Sequence, residues 1–468
     1  TNMNKKSLLV ALCTALLATT AQADEVTLRT NKAAGQSLTI ALNAGVQAQL
    51  AWDGGSTSTV AFTGEEQAIP VQGAALTITT SQPITMLYAP DNGLTEISLT
   101  DATNLMQLIV PGNALTALNL SGVPVLEELN CSDNQLTALT TGDCPNLVSL
   151  DCANNQITAL LTSKNTSLQI LNCAGNKLTA LGVSSKEIKA VWCQNNQLTK
   201  IVLSSGADPQ QLVAFNNEIT TLNLKGKANL QELWLDNNAL TTLDISSSSV
   251  RTLSASNNQL TSITHNTDDK KSMEDFYVDG NQLAPCHFVK VYNTSTKQNL
   301  MNWCIAPQRP FQLSENINVN DVVDATSFIR LNAWGQPAGF TLSWENDAHE
   351  PLVKGTDYTL SSYKTTFKTG QWKIRLVATS TQYPELTINS NWFRVIDPTG
   401  VETVQTNADT QIQARDGQIV VTTAQAQPLH IYHVSGKLVV NEQLSAGTHA
   451  WSLPAGVYII EGKRVLVK

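Results

Sequence analysis

Leucine and asparagine recur at a nearly fixed spacing between residues 84 and 283. Successive asparagines lie 20, 21 or 23 residues apart, in units that read L-x-x-L-x-C/A/V-x-x-N-x-L-T-x-L-x-L. One such unit points apolar side chains in too many directions to bury them alone, whereas stacked units bury each row against the same row of the next. The pattern therefore predicts a solenoid of ten coils, and positions are numbered from the first leucine of this frame.

The asparagine at position nine of each coil is predicted to be structural. The chain turns sharply after the strand of a coil, which leaves backbone N–H and C=O groups without ladder partners. An inward-facing amide has donors and an acceptor, so it can bond both kinds of group in adjacent coils. Ten residues are expected to form this ladder: Asn92, Asn113, Asn134, Asn155, Asn176, Asn196, Asn217, Asn238, Asn258 and Asn281.

Alternation of period two, typical of half-buried strands, dominates the chain on both sides of the repeats. At 24–83, EVTLRT, SLTIAL, STVAFT and ALTITT predict a β cap, and the solenoid with its C-terminal cap is predicted over 84–304. At 305–397, IRLNAW, FTLSWEN and QWKIRLVATS predict an immunoglobulin-like β-sandwich. A polar linker at 398–412 and a small antiparallel β domain at 413–468 follow, with hairpin turns at Ser435–Gly436 and Ala455–Gly456. The predicted fold class is mainly β.

Residues 1–23 have the features of a secretory signal peptide. Lys5 and Lys6 precede the apolar run SLLVALCTALLA, and Ala21-Gln22-Ala23 is a small-residue cleavage site. The apolar run is too short to span a bilayer comfortably. The mature chain is therefore expected to begin near Asp24 and to leave the cytoplasm.

Composition and motifs argue against several classes of function. The net charge of −9 and the pI near 5.2 disfavour a nucleic-acid-binding surface. The six histidines are scattered, and no G-x-S-x-G, H-E-x-x-H or P-loop motif is present. The sequence therefore predicts a protein without catalytic residues, metal or cofactor.

Cysteine occupies position six of four successive coils, at Cys131, Cys152, Cys173 and Cys193. Alanine, valine and leucine take the same position elsewhere, so packing of small apolar groups is the favoured interpretation. Stacked disulfides and a metal site are the alternatives. Beyond the last coil, Cys286 and Cys304 are predicted to form a disulfide, because the compartment is oxidising.

The strand face of the coils carries the binding hypothesis. Positions three, five, seven and eight are expected to face solvent, and aromatic side chains gather there in the later coils. Exposed aromatics with polar neighbours are common anchors of protein interfaces, although they can also cover a neighbouring loop or cap. The predicted partner-binding residues are Trp192, Phe215, Trp234, Tyr277, Glu232, Asp236 and Glu274, with Asp279 beside them.

The repeat resembles the leucine-rich repeat in its 20–22-residue bacterial form, as found in internalins such as internalin J. The last block resembles the C-terminal sorting domain of type IX secretion substrates in Bacteroidetes. The resemblance implies recognition by the type IX machinery at the outer membrane, removal of the domain, and attachment to a surface lipopolysaccharide. It rests on Asp416-Gly417, on the segment from Ile431 to Lys437 and on Leu453 to Tyr458, so the sorting signal is expected at Gly417, Gly436, Lys437, Gly456 and Tyr458.

These features lead to one favoured hypothesis and one alternative. The favoured hypothesis, which the internalin resemblance implies, is a non-catalytic adhesin on the outer-membrane surface, or secreted, that supports adhesion, biofilm formation and virulence. Its partner would be a protein on a host cell, another bacterium or a second copy of the chain. The alternative is a carbohydrate-binding surface protein, because aromatics bordered by acids and amides also stack on sugars.

Overall fold

The computed structural model describes residues 24–265, 273–283, 302–304, 308–326, 340–380, 387–396, 402–407, 410–415, 417–460 and 463–467. Strands dominate its regular secondary structure. The chain divides into two compact units, one formed by 1–240 with 244–252 and the other by 241–243 with 253–468. Among the described residues, no helix has the length and apolar character needed to cross a membrane.

The first unit begins with six strands, four of which the alternating segments predicted. They are β1 (Asp24–Thr30), β2 (Ser37–Leu42), β3 (Gln47–Trp52), β4 (Thr57–Ala61), β5 (Gln67–Pro70) and β6 (Ala75–Thr80). Strands β4, β3, β6 and β1 form an antiparallel sheet in that order. Strand β2 pairs antiparallel with β5 on one side and with the first strand of the coils on the other, so it joins this region to the repeats.

The coils of the first unit each contribute a short strand to one long parallel sheet. In chain order the strands of this part are β7 (Met86–Tyr88), β8 (Leu94–Ser98), β9 (Gln107–Ile109), β10 (Glu128–Asn130), β11 (Ser149–Asp151), β12 (Ile170–Asn172), β13 (Ala180–Val183), β14 (Ala190–Trp192), β15 (Lys200–Leu203), β16 (Gln211–Val213) and β17 (Glu232–Trp234). The sheet runs β7-β9-β10-β11-β12-β14-β16-β17, while β13 and β15 form a second parallel sheet and β8 pairs with β1.

The parallel register places equivalent positions of adjacent coils side by side. Leu129 at position four pairs with Leu108 on one side and Leu150 on the other, and all three are fully buried. Positions six and eleven also line the core, as at Cys131 and Leu136. Each row therefore continues through the stack, which is how units too small to fold alone share one core.

The asparagines of position nine bond the backbone of two coils. The Oδ1 atom of Asn155 accepts the N–H of Leu136 in the preceding coil at 2.9 Å, and its Nδ2 atom donates to the carbonyl of Cys131 in that coil at 3.0 Å. The same Nδ2 atom also donates to Cys152 in its own coil at 3.1 Å. Equivalent bonds from Nδ2 recur at Asn113, Asn134, Asn176, Asn196, Asn217, Asn238 and Asn281.

Position eight has a backbone constraint that the sequence analysis did not identify. In all ten coils this residue has a positive φ, between 52° and 68°. Only aspartate, asparagine and glycine occur there, which are the residues that adopt the left-handed region at least cost. The residues are Asp91, Gly112, Asp133, Asn154, Gly175, Asn195, Asn216, Asn237, Asn257 and Gly280.

The second unit contains the remaining strands. Strands β18 (Thr242–Asp244) and β19 (Thr252–Ser254) lie at the division of the chain. They are followed by β20 (Ser262–Thr264), β21 (Asp275–Tyr277) and β22 (Asn302–Cys304), the last two of which pair in parallel. Residues 284–301 lie outside the described residues and include Cys286, so the predicted disulfide with Cys304 stays a prediction.

Two sheets pack face to face in the region predicted as an immunoglobulin-like sandwich. Its strands are β23 (Asn316–Asn318), β24 (Val322–Asp324), β25 (Phe340–Asn346), β26 (Tyr358–Ser361), β27 (Lys364–Phe367), β28 (Gln371–Ser380), β29 (Thr387–Asn389) and β30 (Phe393–Ile396). Trp344 on β25 is fully buried, and its ring meets Phe367 of the other sheet edge-on at 4.9 Å between centroids. Its indole N–H donates to Thr365 at 3.0 Å. The predicted strand IRLNAW lies outside the described residues.

The last strands correct two predictions. They are β31 (Glu402–Asn407), β32 (Thr410–Arg415), β33 (Gln418–Thr423), β34 (Gln427–His433), β35 (Leu438–Leu444), β36 (Gly447–Ser452), β37 (Gly456–Ile460) and β38 (Lys463–Val467). The linker predicted at 398–412 contains β31 and the start of β32, which pair antiparallel. The turn at Ala455–Gly456 is not a hairpin, because β36 belongs to the sheet β31-β32-β33-β36 and β37 to the sheet β35-β34-β37-β38.

Candidate functional site

The candidate site of the first unit is a row of position-five side chains on the outer face of the parallel sheet. Trp192 on β14 pairs with Val213 on β16, and Val213 pairs with Trp234 on β17. All three are half-buried, whereas the residues of position four between them and the core are fully buried. We call these three residues the Trp–Val–Trp row. The parallel register is what brings side chains 21 residues apart in the chain into contact range.

A hydrogen-bonded chain fixes one end of this row. The indole Nε1 of Trp192 donates to Oε1 of Gln211, and Nε2 of Gln211 donates to Oε2 of Glu232 at 2.6 Å. Gln211 and Glu232 occupy position three of neighbouring coils and are paired in the ladder. The amide therefore connects an aromatic side chain to an exposed carboxylate and restricts the rotamers of all three. Gln211 was not among the predicted site residues.

Phe215 and Asp236 occupy position seven, where the exposure differs from the prediction. Phe215 is half-buried, as is Asp236. In three earlier coils the same position is nearly buried, with Ser132, Ala153 and Ala174 at 7%, 6% and 7% exposure. Position seven is therefore not a uniformly solvent-facing row, because the chain has begun to turn inward there.

The other predicted binding residues lie in the second unit. Tyr277 on β21 is half-buried, as are Glu274 and Asp279. The carboxylate of Asp279 accepts a hydrogen bond from the hydroxyl of Ser256 at 2.6 Å. The structure thus brings Trp192, Trp234 and Glu232 together in the first unit, and a single surface that also includes Tyr277 and Glu274 stays a prediction.

The cysteine column is a packed row of free thiols. Cys131, Cys152, Cys173 and Cys193 are fully buried and unbridged, which excludes the stacked disulfides that were one alternative. Burial raises the pKa of each thiol, to about 12 at Cys173. Cys144 is also a buried free thiol, with its pKa raised to about 11 by burial. Such thiols are poor nucleophiles and behave as small apolar groups.

Metal-binding and acid–base chemistry find little support in the described ranges. Among these residues there is no group of three or more His, Cys, Asp or Glu side chains arranged to hold a metal ion. The closest charged cluster is in the sandwich, where the carboxylate of Glu345 accepts from Arg375 Nε at 2.6 Å and contacts His349 Nδ1 at 2.8 Å. The guanidinium of Arg375 lies 4.7 Å from the ring centre of Trp392, so this cluster is knit together by its own contacts.

The residues of the predicted sorting signal lie at turns and in the core of the last sheets. Gly417 and Gly436 have φ values of 73° and 85° at turns, and Lys437 is exposed beside the second. Tyr458 is buried, and its hydroxyl donates to the carbonyl of Pro454 at 2.8 Å. A Cβ at Gly456 would lie 3.4 Å from His433 Nε2. These contacts account for the motif structurally, and its role in sorting stays a prediction.

The comparisons with known proteins concern the repeat. Residues 124–165 match the family model "Leucine Rich repeats (2 copies)", and no curated protein matches the chain. Similar solved structures include the functional domain of InlJ from Listeria monocytogenes, described as including a cysteine ladder. It has 16% identity, covers 68% of this chain and 93% of that one, and gives a TM-score of 0.30.

Two further solved structures are similar at the same level. YopM from Yersinia enterocolitica has 24% identity, covers 44% of this chain and 42% of that one, and has a TM-score of 0.34. A plant ice-binding protein has 19% identity, 48% and 83% coverage, and a TM-score of 0.35. TM-scores this low do not support a common overall fold, so the fold is assigned from the coils of this chain and from the repeat match. The protein is a leucine-rich-repeat solenoid followed by further β-sheet regions.

Proposed function

We propose that this protein is a non-catalytic surface adhesin whose Trp–Val–Trp row binds a protein partner. A leucine-rich-repeat solenoid is a scaffold for protein interactions, and its strand face presents one side chain of each position per coil. The observation that carries the proposal is the row itself, held at one end by Gln211 and Glu232. The core does not require aromatic residues at position five, because Asn130, Asp151 and Asn172 fill it in earlier coils.

The energetics of the row favour an interface. Tryptophan offers a large apolar surface together with an N–H donor, and such residues carry much of the binding energy of protein interfaces. The hydrogen bond from Trp192 to Gln211 orders its ring before binding, so less side-chain entropy is lost when a partner docks. The exposed Glu232 adds a negative charge at the edge, where charges steer and select partners.

The cellular setting extends the proposal. A signal peptide at 1–23 and the resemblance of the last domain to type IX sorting domains support export through the periplasm to the outer-membrane surface. There the sorting domain would be removed and the chain joined to a surface lipopolysaccharide. The internalin resemblance supports a role in adhesion and biofilm formation, with a host protein, another bacterium or a second copy of the chain as partner.

The test is attachment by cells that display the full chain. We expect the double variant Trp192→Ala/Trp234→Ala to lower self-aggregation or host-cell attachment by about tenfold or more, because each anchor contributes on the order of 1–2 kcal/mol. The matched control is Leu161→Ala/Val202→Ala, which removes two apolar side chains that are 80% and 49% exposed away from the long sheet. The control should retain attachment, and circular dichroism should show that both variants fold.

A folded Trp192→Ala/Trp234→Ala variant with undiminished attachment would overturn the proposal. A glycan array probed with the purified chain tests the alternative function. Binding to a defined sugar that is lost in the tryptophan variant, without any protein partner, would replace the adhesin proposal by carbohydrate recognition.

A further inference from the structure

The N–H groups of position seven are accounted for within the chain in coils one to five. In coils one and two this residue is proline, which has no N–H. In coils three to five the N–H donates to the side-chain oxygen of position five, two residues earlier, at 3.0 to 3.3 Å. The residues are Pro90 and Pro111, and then the pairs Ser132 with Asn130, Ala153 with Asp151 and Ala174 with Asn172.

Coils six and seven depart from this arrangement where the aromatic residues begin. Position seven is Gln194 and Phe215, and position five is Trp192 and Val213, which carry no acceptor oxygen. Neither N–H has a hydrogen-bond partner among the described residues. A polar side chain at position five and a proline at position seven are both absent here, so two donors are left for water or a ligand.

These two donors point to the same side of the sheet as the Trp–Val–Trp row. In coils three to five the equivalent N–H meets a side chain that stands on the outer face, and the backbone of coils six and seven repeats that conformation, with φ of 57° and 54° at position eight. Gln194 also carries a buried Oε1 atom with no partner in the described part of the chain. Coil six therefore holds polar groups that the fold itself does not satisfy.

The spacing of the donors suits one carbonyl oxygen. Adjacent parallel strands lie about 4.8 Å apart. With N–H···O distances of about 2.9 Å, one oxygen between the two nitrogens subtends an angle of roughly 110°, close to the directions of carbonyl lone pairs. Glu232 and Asp236 nearby disfavour an anionic ligand, so a neutral amide carbonyl is the better match.

We propose that the N–H groups of Gln194 and Phe215 bind one main-chain carbonyl of an extended peptide segment in the protein partner. An apolar side chain of that segment lies on the Trp–Val–Trp row, and a basic side chain pairs with Glu232. Positions three and seven are separated by a distance that about three extended residues span. The inference rests on the proposed function, since it names the chemistry of the partner at that site.

The free donors are tested first in the full chain labelled with ¹⁵N-phenylalanine. The sequence has nine phenylalanines, and the Phe215→Leu variant identifies the Phe215 amide resonance. We expect this amide to exchange with solvent at least about a hundredfold faster than that of Phe62, whose N–H donates to Val46 at 2.8 Å. Equal protection of the two amides in the free chain would overturn the proposal.

The variant Val213→Asn then removes a donor without emptying the site. Asparagine occupies position five in coils three and five, where its oxygen caps the position-seven N–H, so it should fold and cap Phe215 in the same way. The matched control is Val213→Ile. The probe is the capped tripeptide acetyl-Arg-Leu-Gly-amide, followed by the Phe215 resonance.

We expect the tripeptide to shift the Phe215 resonance in the parent chain and in Val213→Ile, with an apparent Kd about tenfold or more weaker in Val213→Asn. The Glu-for-Arg tripeptide should also bind at least about tenfold more weakly. No shift with either peptide, or equal affinity for Val213→Asn, overturns the proposal. A shift with N-acetylglucosamine but none with the peptides overturns the assignment to a protein.

The cell-attachment assay separates this inference from the proposed function. If Trp192→Ala/Trp234→Ala loses attachment while Val213→Asn retains it, the adhesin proposal stands and the carbonyl site fails. If neither variant loses attachment, both fail.

Discussion

Replacing one ladder asparagine by leucine should strongly destabilise the repeat. Asn155 is 7% exposed, and its amide bonds the N–H of Leu136 and the carbonyl of Cys131 in the preceding coil. Asn155→Leu leaves both backbone groups buried without a partner. The leucine side chain does not recover this loss, because it would stand against the carbonyl oxygens of Cys131, Cys152 and Ala153.

The magnitude follows from the number of groups left unpaired. A buried backbone N–H or C=O without a partner costs about 1–3 kcal/mol. Two such groups lower the free energy of unfolding by about 2–6 kcal/mol, which is a large fraction of the 5–15 kcal/mol that is typical of a folded domain. The affected coils should therefore lose structure first.

Urea denaturation followed by far-ultraviolet circular dichroism measures this change. Asn146→Leu is the matched control, because Asn146 is exposed and makes no side-chain hydrogen bond with the described residues, and it should stay within about 0.5 kcal/mol of the parent. Asn155→Asp keeps an acceptor for Leu136 and loses the donor to Cys131, so it should fall between the two. An Asn155→Leu midpoint equal to the parent's would refute the account of the ladder.

Two further predictions concern titrating groups. Because burial raises the pKa of the thiols of Cys152 and Cys173, an aromatic disulfide reagent at pH 8 should label them only after denaturation; labelling of the native chain at the rate of a free thiol would contradict their burial. Burial also raises the pKa of the Glu128 carboxyl, although Gln107 donates to it at 3.2 Å. The folded chain therefore binds this proton more tightly than the unfolded chain, and stability from this group is present at low pH and is lost as pH rises through the folded pKa. Glu128→Gln should raise the urea midpoint at pH 7 and lose that advantage near pH 4; a lower midpoint at pH 7 would show that the charge is stabilising.

The repeat could be predicted because each coil position repeats its chemical demand. Leu129 has the same neighbours as Leu108 and Leu150, so a spacing of 21 residues was enough to assign it to the core. The asparagine ladder was accessible by the same reasoning, since a buried amide is informative about the backbone it must serve. The strands flanking the repeats were visible where alternation was strong, as in β1 and β25.

Features that depend on pairing between distant segments were harder to predict. The stretch ETVQT was assigned to a linker because it is polar, yet it forms β31, whose partner β32 was not evident from the local pattern. The turn at Ala455–Gly456 has hairpin residues but joins two different sheets. Gln211 stands at a variable position, and only its register between Trp192 and Glu232 gives it a role.

The left-handed residues of position eight make neighbouring coils depend on one another. A Cβ at Gly112 would collide with the side-chain oxygen of Asp91 in the preceding coil, and Gly175 stands in the same relation to Asn154. Asn154, by contrast, donates from Nδ2 to Asp133 at 2.8 Å. A duplicated or transplanted coil would therefore bring a residue suited to a different predecessor, so the smallest unit that can be exchanged without a second substitution is a matched pair of coils.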